Sequence, residues 1–240
     1  MSIRGKTILV TGGALRVGRE FCLAAAGAGA NVIIHYGNSA EEANKTAEEI
    51  RAAGCQAWTL KADLANPDEA AKLIDLAWEI SPFFGLVNSA AIFEPLTFTD
   101  TTIDAWQHHL AVNLTAPFLL SQSFARRLAP GATGRIINIV DWRALRPGSD
   151  HFPYTVSKAA LAQMTRSLAV ALAPDISVNG LALGAILPPS DGGSPDILKS
   201  VPAKRWATMD ELHQALLFFL EGPSYITGEI IHLDGGRHLV

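Results

Sequence analysis

Residues 7–18 read Thr-Ile-Leu-Val-Thr-Gly-Gly-Ala-Leu-Arg-Val-Gly, a short strand-forming run followed by a glycine-rich turn. The run predicts a buried strand, and residues 17–28 have the composition of a helix. Gly12 permits a tight turn, and Gly18 allows the helix to pack closely on the strand. The backbone N–H groups at the start of such a helix suit a pyrophosphate, although the turn departs from the G-x-G-x-x-G pattern. A glycine-rich turn without a ligand is the alternative.

The rest of the chain repeats this alternation of apolar runs and alanine-rich helical segments. We predict strands at 7–10, 31–36, 57–60, 85–88, 135–140, 176–179 and 229–232, and helices at 17–28, 40–53, 67–80, 102–128, 154–172 and 209–220. The pattern predicts one α/β domain over residues 1–240, a doubly wound parallel sheet of seven strands with helices on both faces. The long irregular segment at about 188–202 is a candidate substrate loop.

Composition restricts the class of protein. The chain has 240 residues, 49% of them hydrophobic, and its formal net charge of −4 argues against nucleic acid as the main partner. Cys22 and Cys55 lack metal-ligand spacing, so we expect no metal site and a reduced, cytoplasmic setting. No apolar run reaches the roughly 18 residues needed to cross a membrane, so no membrane association is expected.

The end of the second predicted strand bears on the choice of cofactor. Residues 35–39 read His-Tyr-Gly-Asn-Ser, with no acid before Glu41. Enzymes that use NAD typically present an acid here to bind the ribose diol, and that acid would repel a 2′-phosphate. Arg16, Ser39 and His35 are candidates to hold such a phosphate, so we predict NADPH. A surface ion pair for Arg16 and ordinary packing for His35 are the alternatives.

Polar or small residues follow two further strands. At 63–64, Asp-Leu offers a carboxylate or backbone contact to an adenine amino group, with a turn N-cap as the alternative. At 88–90, Asn-Ser-Ala lets a flat ring lie close to the backbone. Asn113 interrupts an apolar helix, and a buried Asn needs partners. It orders a helix irregularity or a water molecule, or it has no function.

Tyr154 and Lys158 lie four residues apart at the start of a predicted helix. This spacing places both side chains on one face, where the ammonium would lower the pKa of the phenol from its usual value of about 10. A tyrosine so placed is a candidate proton donor to an atom being reduced. The Tyr-x-x-x-Lys pattern also occurs by chance in many helices, so its significance depends on the other motifs.

Together these motifs resemble the short-chain dehydrogenase/reductase family over essentially the whole chain. The matching pieces are Thr11-Gly-Gly-Ala-Leu-Arg-Val-Gly18, Asp63-Leu64, Asn88-Ser-Ala, Asn113, Tyr154-x-x-x-Lys158 and the terminal Thr227-Gly-Glu and Asp234-Gly-Gly. The resemblance implies a Rossmann-type fold, with Tyr154 as the acid, Lys158 on the nicotinamide ribose and Asn113 anchoring a relay water. The candidate cofactor-binding residues are Thr11, Gly12, Arg16, Val17, Gly18, His35, Tyr36, Asn38, Ser39, Asp63, Leu64, Asn88, Ser89, Ala90, Tyr154, Lys158 and Gly184.

One position departs from the family pattern. A serine usually stands thirteen residues before the tyrosine, and here that position is Asp141. A carboxylate repels the developing oxyanion of a ketone, whereas the nitrogen of a C=N bond needs a proton that Asp141 and Tyr154 can supply. With Arg16, the residues at 35–39 and Phe93, this aspartate makes the chain resemble the pteridine reductase branch. In that branch an aromatic at the Phe93 position sandwiches the pterin against the nicotinamide. Packing of a loop aromatic onto the core is the alternative for Phe93.

Other positions differ from that branch, and they lie near the substrate. They are Asn38 in place of an arginine, Ser89 in place of an asparagine, Ala91 in place of a serine, and Leu183 in place of a proline. The leading prediction is an NADPH-dependent reductase of a pterin or dihydrofolate-like substrate. We predict Asp141, Tyr154, Lys158 and Asn113 as catalytic residues, and Phe93, Asp141 and Tyr154 as substrate-binding residues.

Two alternatives remain open at this point. One is a carbonyl reductase of the same family, for example of 3-oxoacyl thioesters, in which Asp141 is a tolerated replacement. The other is a non-catalytic NADP(H)-binding sensor. Family resemblance also implies a homotetramer built partly on the helix that starts at Tyr154. That helix carries apolar residues in excess of one sheet contact: Leu161, Met164, Leu168 and Leu172.

Overall fold

The computed structural model describes residues 1–188 and 195–240, except for the side chains of residues 195 and 196. The predicted substrate loop at about 188–202 is therefore described at its two ends, and residues 189–194 lie outside the described residues. A short 3-10 segment, Pro195–Ser200, forms the second end of this loop.

The described residues form one sheet of seven strands. The strands are β1 Thr7–Val10, β2 Asn31–Tyr36, β3 Ala57–Lys61, β4 Gly85–Asn88, β5 Gly134–Asp141, β6 Ile176–Leu183 and β7 Ile230–Leu233. Their order is β3-β2-β1-β4-β5-β6-β7, and every neighbouring pair is parallel. The predicted doubly wound parallel sheet is confirmed. Strand order reverses between β1 and β4, and ligands bind at such a reversal, beyond the carboxyl ends of the strands.

Helices cover both faces of the sheet. They are α1 Arg16–Gly27, α2 Ala40–Ala52, α3 Pro67–Ile80, α4 Ile103–Leu110, α5 Ala116–Arg127, α6 Phe152–Leu172 and α7 Met209–Glu221. The largest core cluster contains Phe21 of α1 and Leu216 of α7, and a second contains Leu73 of α3 and Phe124 of α5. Burial of these apolar side chains on both faces supplies the main stabilisation of the sheet.

Strand β6 is twice as long as predicted. The predicted strand ends at residue 179 because Gly180 and Ala182 interrupt the β-branched pattern. Strand β6 pairs with β5 over eight residues, from Gly134 opposite Ile176 to Asp141 opposite Leu183. Pairing with a long neighbour therefore overrides the weak strand preference of glycine and alanine. As a result, Asp141 stands at the carboxyl edge, where the ligand crevice opens.

The predicted helix at 102–128 is not continuous. Between α4 and α5 the chain forms a π-helical segment, Ala111–Thr115, with Asn113 buried at its centre. Single π turns inside helices often lie at functional sites. The predicted helix irregularity at this asparagine is therefore present.

The apolar residues of α6 are largely used within the chain. Leu161 is fully buried, and Leu168 and Leu172 pack against the core cluster of α3 and α5. Less apolar surface is left for self-association than the sequence suggests, and the homotetramer stays a prediction. Among the described helices, none combines the length and apolar character needed to cross a membrane.

Candidate active site

The turn after β1 is held to the turn after β4. The Thr11 hydroxyl oxygen accepts hydrogen bonds from the backbone N–H of Ser89 at 2.9 Å and of Ala90 at 3.0 Å. Gly12 has a φ of +65°, and a Cβ there would lie 2.9 Å from the Cα of Ala90. A Cβ on Gly18 would overlap the carbonyl oxygen of Gly12. Both glycines are thus required for the close approach of the two turns and of α1.

His35 has a different role from the phosphate contact that the sequence suggested. Its side chain is buried, its Nδ1 accepts from the Gly12 N–H at 3.1 Å, and its Nε2 lies 3.1 Å from the Ala62 carbonyl oxygen. Burial lowers the pKa of His35 to about 4, so the ring is neutral near pH 7. The prediction that His35 contacts the 2′-phosphate directly is wrong, because both nitrogens of its ring already bind backbone groups of the chain. These bonds order the glycine-rich turn.

The amino end of α1 is open to a ligand. Within the described chain, its N-cap residue Leu15 makes no side-chain capping bond, and the first turn carries no acid. Helix N-terminal N–H groups without partners attract anions. Val17 lines the cavity described below, and Arg16, with a φ of +51°, donates from Nη2 to the Pro188 carbonyl oxygen at 3.0 Å.

The remaining candidates for the adenosine end lie along the same edge. Tyr36 ends β2, Asn38 is exposed, and Ser39 stands at the N-cap of α2 with no side-chain capping bond. No hydrogen bond or ion pair in the described part of the chain joins Arg16 to Ser39, so their shared role toward a 2′-phosphate stays a prediction.

The acid after β3 has the local role that was offered as the alternative. Asp63 accepts from the Ala65 N–H at 2.9 Å, as a turn-capping side chain does. Leu64 is buried in the core. The Asn88 amide donates to Asn138 at 2.8 Å, in the interior of the sheet. Asp63, Leu64 and Asn88 thus have contacts within the chain, and their contacts to a cofactor stay predictions.

Asn113 connects the π segment to two other parts of the site. Its carbonyl oxygen accepts from the Ile92 N–H at 2.9 Å, and its amide donates to the Ile92 carbonyl at 3.1 Å and to the Ser157 hydroxyl oxygen at 3.0 Å. Ser157 in turn donates to the Tyr154 carbonyl at 2.7 Å. Asn113 therefore fixes the loop that carries Phe93 relative to the amino end of α6. The predicted relay water stays a prediction.

Three predicted catalytic side chains meet at the carboxyl end of β5. The Tyr154 hydroxyl donates to Oδ2 of Asp141 at 3.0 Å, and Oδ1 accepts from the Arg143 N–H at 2.8 Å. Lys158 is 2% exposed, its Nζ donates to the Ile139 carbonyl at 2.7 Å, and it lies 5.8 Å from the centre of the Tyr154 ring. Asp141 and Tyr154 thus form a hydrogen-bonded pair with an ammonium group behind it.

The pKa of Tyr154 shifts in the opposite direction from the prediction. Burial and the neighbouring Asp141 raise it well above 10. Burial also raises the pKa of Asp141, against the opposing effect of Arg143, and lowers the pKa of Lys158 to about 8. The sequence argument weighed the lysine alone, whereas desolvation and a carboxylate 3.0 Å from the phenol dominate. Tyr154 therefore keeps its proton at neutral pH.

Phe93 lies beside this pair. Its ring is 51% exposed, meets the Tyr154 ring edge-on at 4.6 Å, and stacks on the His151 ring at 3.9 Å with an interplanar angle of 11°. His151 has a φ of +53°, an unusual conformation for a side-chain-bearing residue. His151 thus covers one face of the Phe93 ring, a contact that no pattern in the sequence predicted.

A cavity of about 810 Å³ unites these residues. Arg16 and Val17 line one part, the end of β6 with Gly184 lines another, and Asp141, Tyr154 and Phe93 line a third. A Cβ on Gly184 would lie 2.5 Å from the Cβ of Asp234, so only glycine fits there. The cavity also contains residues that sequence reasoning missed, namely Trp142, Arg143, His151, Trp206 and Arg237.

This combination of fold and site agrees with the comparisons. Residues 13–238 match the family model described as "Enoyl-(Acyl carrier protein) reductase". The chain belongs to the short-chain dehydrogenase/reductase family. Among the members of this family, the 3-oxoacyl-[acyl-carrier-protein] reductase FabG of Aquifex aeolicus is 33% identical over 98% of both chains.

Solved structures of the short-chain dehydrogenase/reductase fold include two that resemble this chain throughout. FolM Alternative dihydrofolate reductase 1 from Brucella canis, complexed with NADP, is 34% identical, with a TM-score of 0.92 over 100% of this chain and 97% of that chain. The same-named protein from Brucella suis, also in complex with NADP, is 34% identical, with a TM-score of 0.93 and the same coverage. The relatives thus include both a ketoreductase and proteins named as dihydrofolate reductases.

Proposed function

We propose that this short-chain dehydrogenase/reductase is an NADPH-dependent reductase of a C=N bond in a pterin or dihydrofolate-like substrate. The observation that carries the proposal is the hydrogen-bonded pair of Asp141 and Tyr154, 3.0 Å apart in the cavity. An oxyanion forming on a ketone would meet the Asp141 carboxylate where a neutral hydroxyl donor is needed. A ring nitrogen needs a proton, which this pair carries.

The residues present suit NADPH. The open amino end of α1 and the two glycines that permit no Cβ, Gly12 and Gly18, form a cradle for a pyrophosphate. No acid stands between Tyr36 and Glu41, so the second strand presents no charge that repels a 2′-phosphate. The two Brucella proteins that resemble the chain along its whole length are NADP complexes.

The chemistry follows from this arrangement. When bound, NADPH supplies the hydride that the carbon of the C=N bond receives. Tyr154 and Asp141 supply the proton that the ring nitrogen receives, so one C–H and one N–H bond form. Lys158 would bind the ribose of the cofactor and keeps a positive charge close to the phenol, and Phe93 would stack on the flat ring. Asn113 holds the segment that carries Phe93.

A second candidate is a 3-oxoacyl thioester reductase, favoured by the name of the Aquifex relative. NADPH oxidation measured side by side with dihydrobiopterin, dihydrofolate and an acetoacetyl thioester separates the two functions. We expect turnover of at least one pterin and little turnover of the thioester. Turnover of the thioester alone would overturn the pterin proposal, and tight NADPH binding without any turnover would support a cofactor-binding sensor.

A further inference from the structure

Two arginines on the substrate side of the cavity are not used by the proposed chemistry. The guanidinium carbons of Arg143 and Arg237 lie 4.8 Å and 4.2 Å from the centre of the Trp142 ring. The Arg143 guanidinium also lies 5.6 Å from the ring centre of Phe93, the proposed stacking partner of the substrate. Stacked guanidinium groups keep their N–H edges directed outward, in the geometry that binds a carboxylate or phosphate.

The charge around these arginines is unbalanced. Arg143 donates to the Asp150 carboxylate at 3.0 Å and lies 3.9 Å from the Asp141 carboxylate, but the Arg237 guanidinium has no ion pair or hydrogen bond to the side chains of residues 1–188 and 197–240. The described lining of the cavity includes four cationic side chains and two carboxylates, although the whole chain is acidic, at −4. The bound cofactor's phosphates would lie near Arg16, and Lys158 stands behind Tyr154. Asp141, Asp150 and Asp234 attract the Arg237 guanidinium through charge, but Asp150 is bonded to Arg143 and Asp234 to His238, and none of the three is bonded to Arg237.

The position of Arg237 is built into the end of the sheet. Buried Asp234, directly after β7, accepts from the backbone N–H of Gly236 at 2.9 Å and of His238 at 2.8 Å. These bonds hold the turn that carries Arg237. The guanidinium of Arg237 lies over the Trp142 ring. In addition, the Nε of Arg143 and of Arg237 are buried without an acceptor among the described residues. Holding a cation in this way costs free energy unless an anion offsets it.

We propose that Arg237, together with Arg143, binds an anionic substituent of the substrate, a carboxylate or a phosphate attached to the reduced ring. The inference rests on the proposed function, because it assumes that the ring lies against Phe93 and Asp141. Trp142 follows Asp141 directly, so the site for the anion adjoins the site for the ring. The preferred substrate is then an acidic pterin derivative, and a pterin with an uncharged side chain binds more weakly.

Equilibrium binding to the NADP⁺ complex tests this without turnover. Calorimetry would compare folate, with two carboxylates, neopterin monophosphate, and biopterin, whose side chain is uncharged. Arg237→Gln removes the charge, Arg237→Lys retains it, and Arg146→Gln removes a charge from exposed Arg146 nearby. We expect Arg237→Gln to weaken at least one anionic ligand by about tenfold or more while biopterin changes less than about twofold.

The outcomes separate the possible roles. The anionic ligand that loses affinity identifies carboxylate or phosphate, Arg237→Lys should restore part of the loss, and Arg146→Gln should leave all three affinities unchanged. Equal weakening of biopterin, or no weakening of either anionic ligand, would overturn the inference. Failure to reduce any pterin, with the preference for an anionic ligand intact, would count against the proposed function and not against this site.

Discussion

Replacing Asp141 by serine restores the usual family residue at the centre of the proposed chemistry. In the wild-type chain the carboxylate accepts from the Tyr154 hydroxyl at 3.0 Å and from the Arg143 N–H at 2.8 Å. Serine has one side-chain oxygen on a shorter stem, so it cannot keep both contacts at those lengths. The substitution therefore removes the second proton carrier and leaves Tyr154 as the remaining donor.

The size of the effect follows from the role assigned to the carboxyl group. A positioned general acid contributes about 10²–10⁴ in rate, which corresponds to about 3–5 kcal/mol of transition-state stabilisation. We expect kcat/KM for a pterin substrate to fall at least about a hundredfold in Asp141→Ser. Reduction of an acetoacetyl thioester should stay the same or rise, because the carboxylate that repels the oxyanion is gone.

The assay is the loss of NADPH absorbance with both substrates across the pH range. Tyr154 provides a second readout, since Asp141 raises its pKa through charge and through a hydrogen bond. Without Asp141 that pKa falls, so ionisation of the phenol, followed by its tyrosinate absorbance, should begin at a lower pH than in the wild type. Asp175→Ser, at an exposed aspartate outside the cavity, is the matched control. Pterin reduction within about threefold of wild type would refute the proton-donating role of Asp141.

Three further predictions test the supports of the site. Activity should fall as pH rises through about 8, where buried Lys158 loses its charge, and Lys158→Met should abolish that limb of the profile. Asn113→Ala should lower the unfolding free energy by roughly 2–4 kcal/mol in urea titrations, because it leaves buried polar partners unpaired; a loss below about 1 kcal/mol would contradict this. Gly18→Ala should destabilise by about 2 kcal/mol and weaken NADPH binding, since its Cβ meets the Gly12 carbonyl. Gly27→Ala on the same helix, where a Cβ meets nothing within 4 Å, should leave stability equal or higher.

Much of the fold could be predicted because it follows from local pattern. Strand and helix periods alternate along the chain, and parallel strands require crossovers of one hand. The predicted bounds of strands and helices differ from the structure where tertiary contacts override local preference. The extension of β6 across Gly180 depends on pairing with β5, and the π segment at Asn113 is bridged by side-chain bonds to Ile92 and Ser157. Neither the pairing with β5 nor the bonds to Ile92 and Ser157 can be inferred from the periodicity of a single helix or strand.

The residues of the site also fall into two groups, those that the sequence predicted and those that only tertiary contacts bring to the cavity. Spacing placed Tyr154 and Lys158 on one helix face, and the family resemblance added Asp141, at the end of the preceding strand, to the same group. Arg237 reaches the cavity only because β7 lies beside β6 and a turn after Asp234 returns the chain toward Trp142. In the sequence, an arginine stands directly after the terminal Asp-Gly-Gly. Its position in the cavity can be inferred only once the strand order is known.

The geometry of Asp141 and Tyr154 also limits where the proton originates. Two negative charges 3.0 Å apart in a buried pair repel strongly, so a tyrosinate beside an ionised Asp141 is unfavourable. If Tyr154 gives its proton to the ring nitrogen, it must regain one from a protonated Asp141 or from solvent through it. Burial raises the pKa of Asp141 and makes that protonated form more accessible near neutral pH. The pair then titrates as one unit, with Tyr154 as the contact to the substrate and Asp141 as the source of the proton. A serine in place of the aspartate has no acidic proton to return to Tyr154, so the substitution should slow protonation of the ring nitrogen.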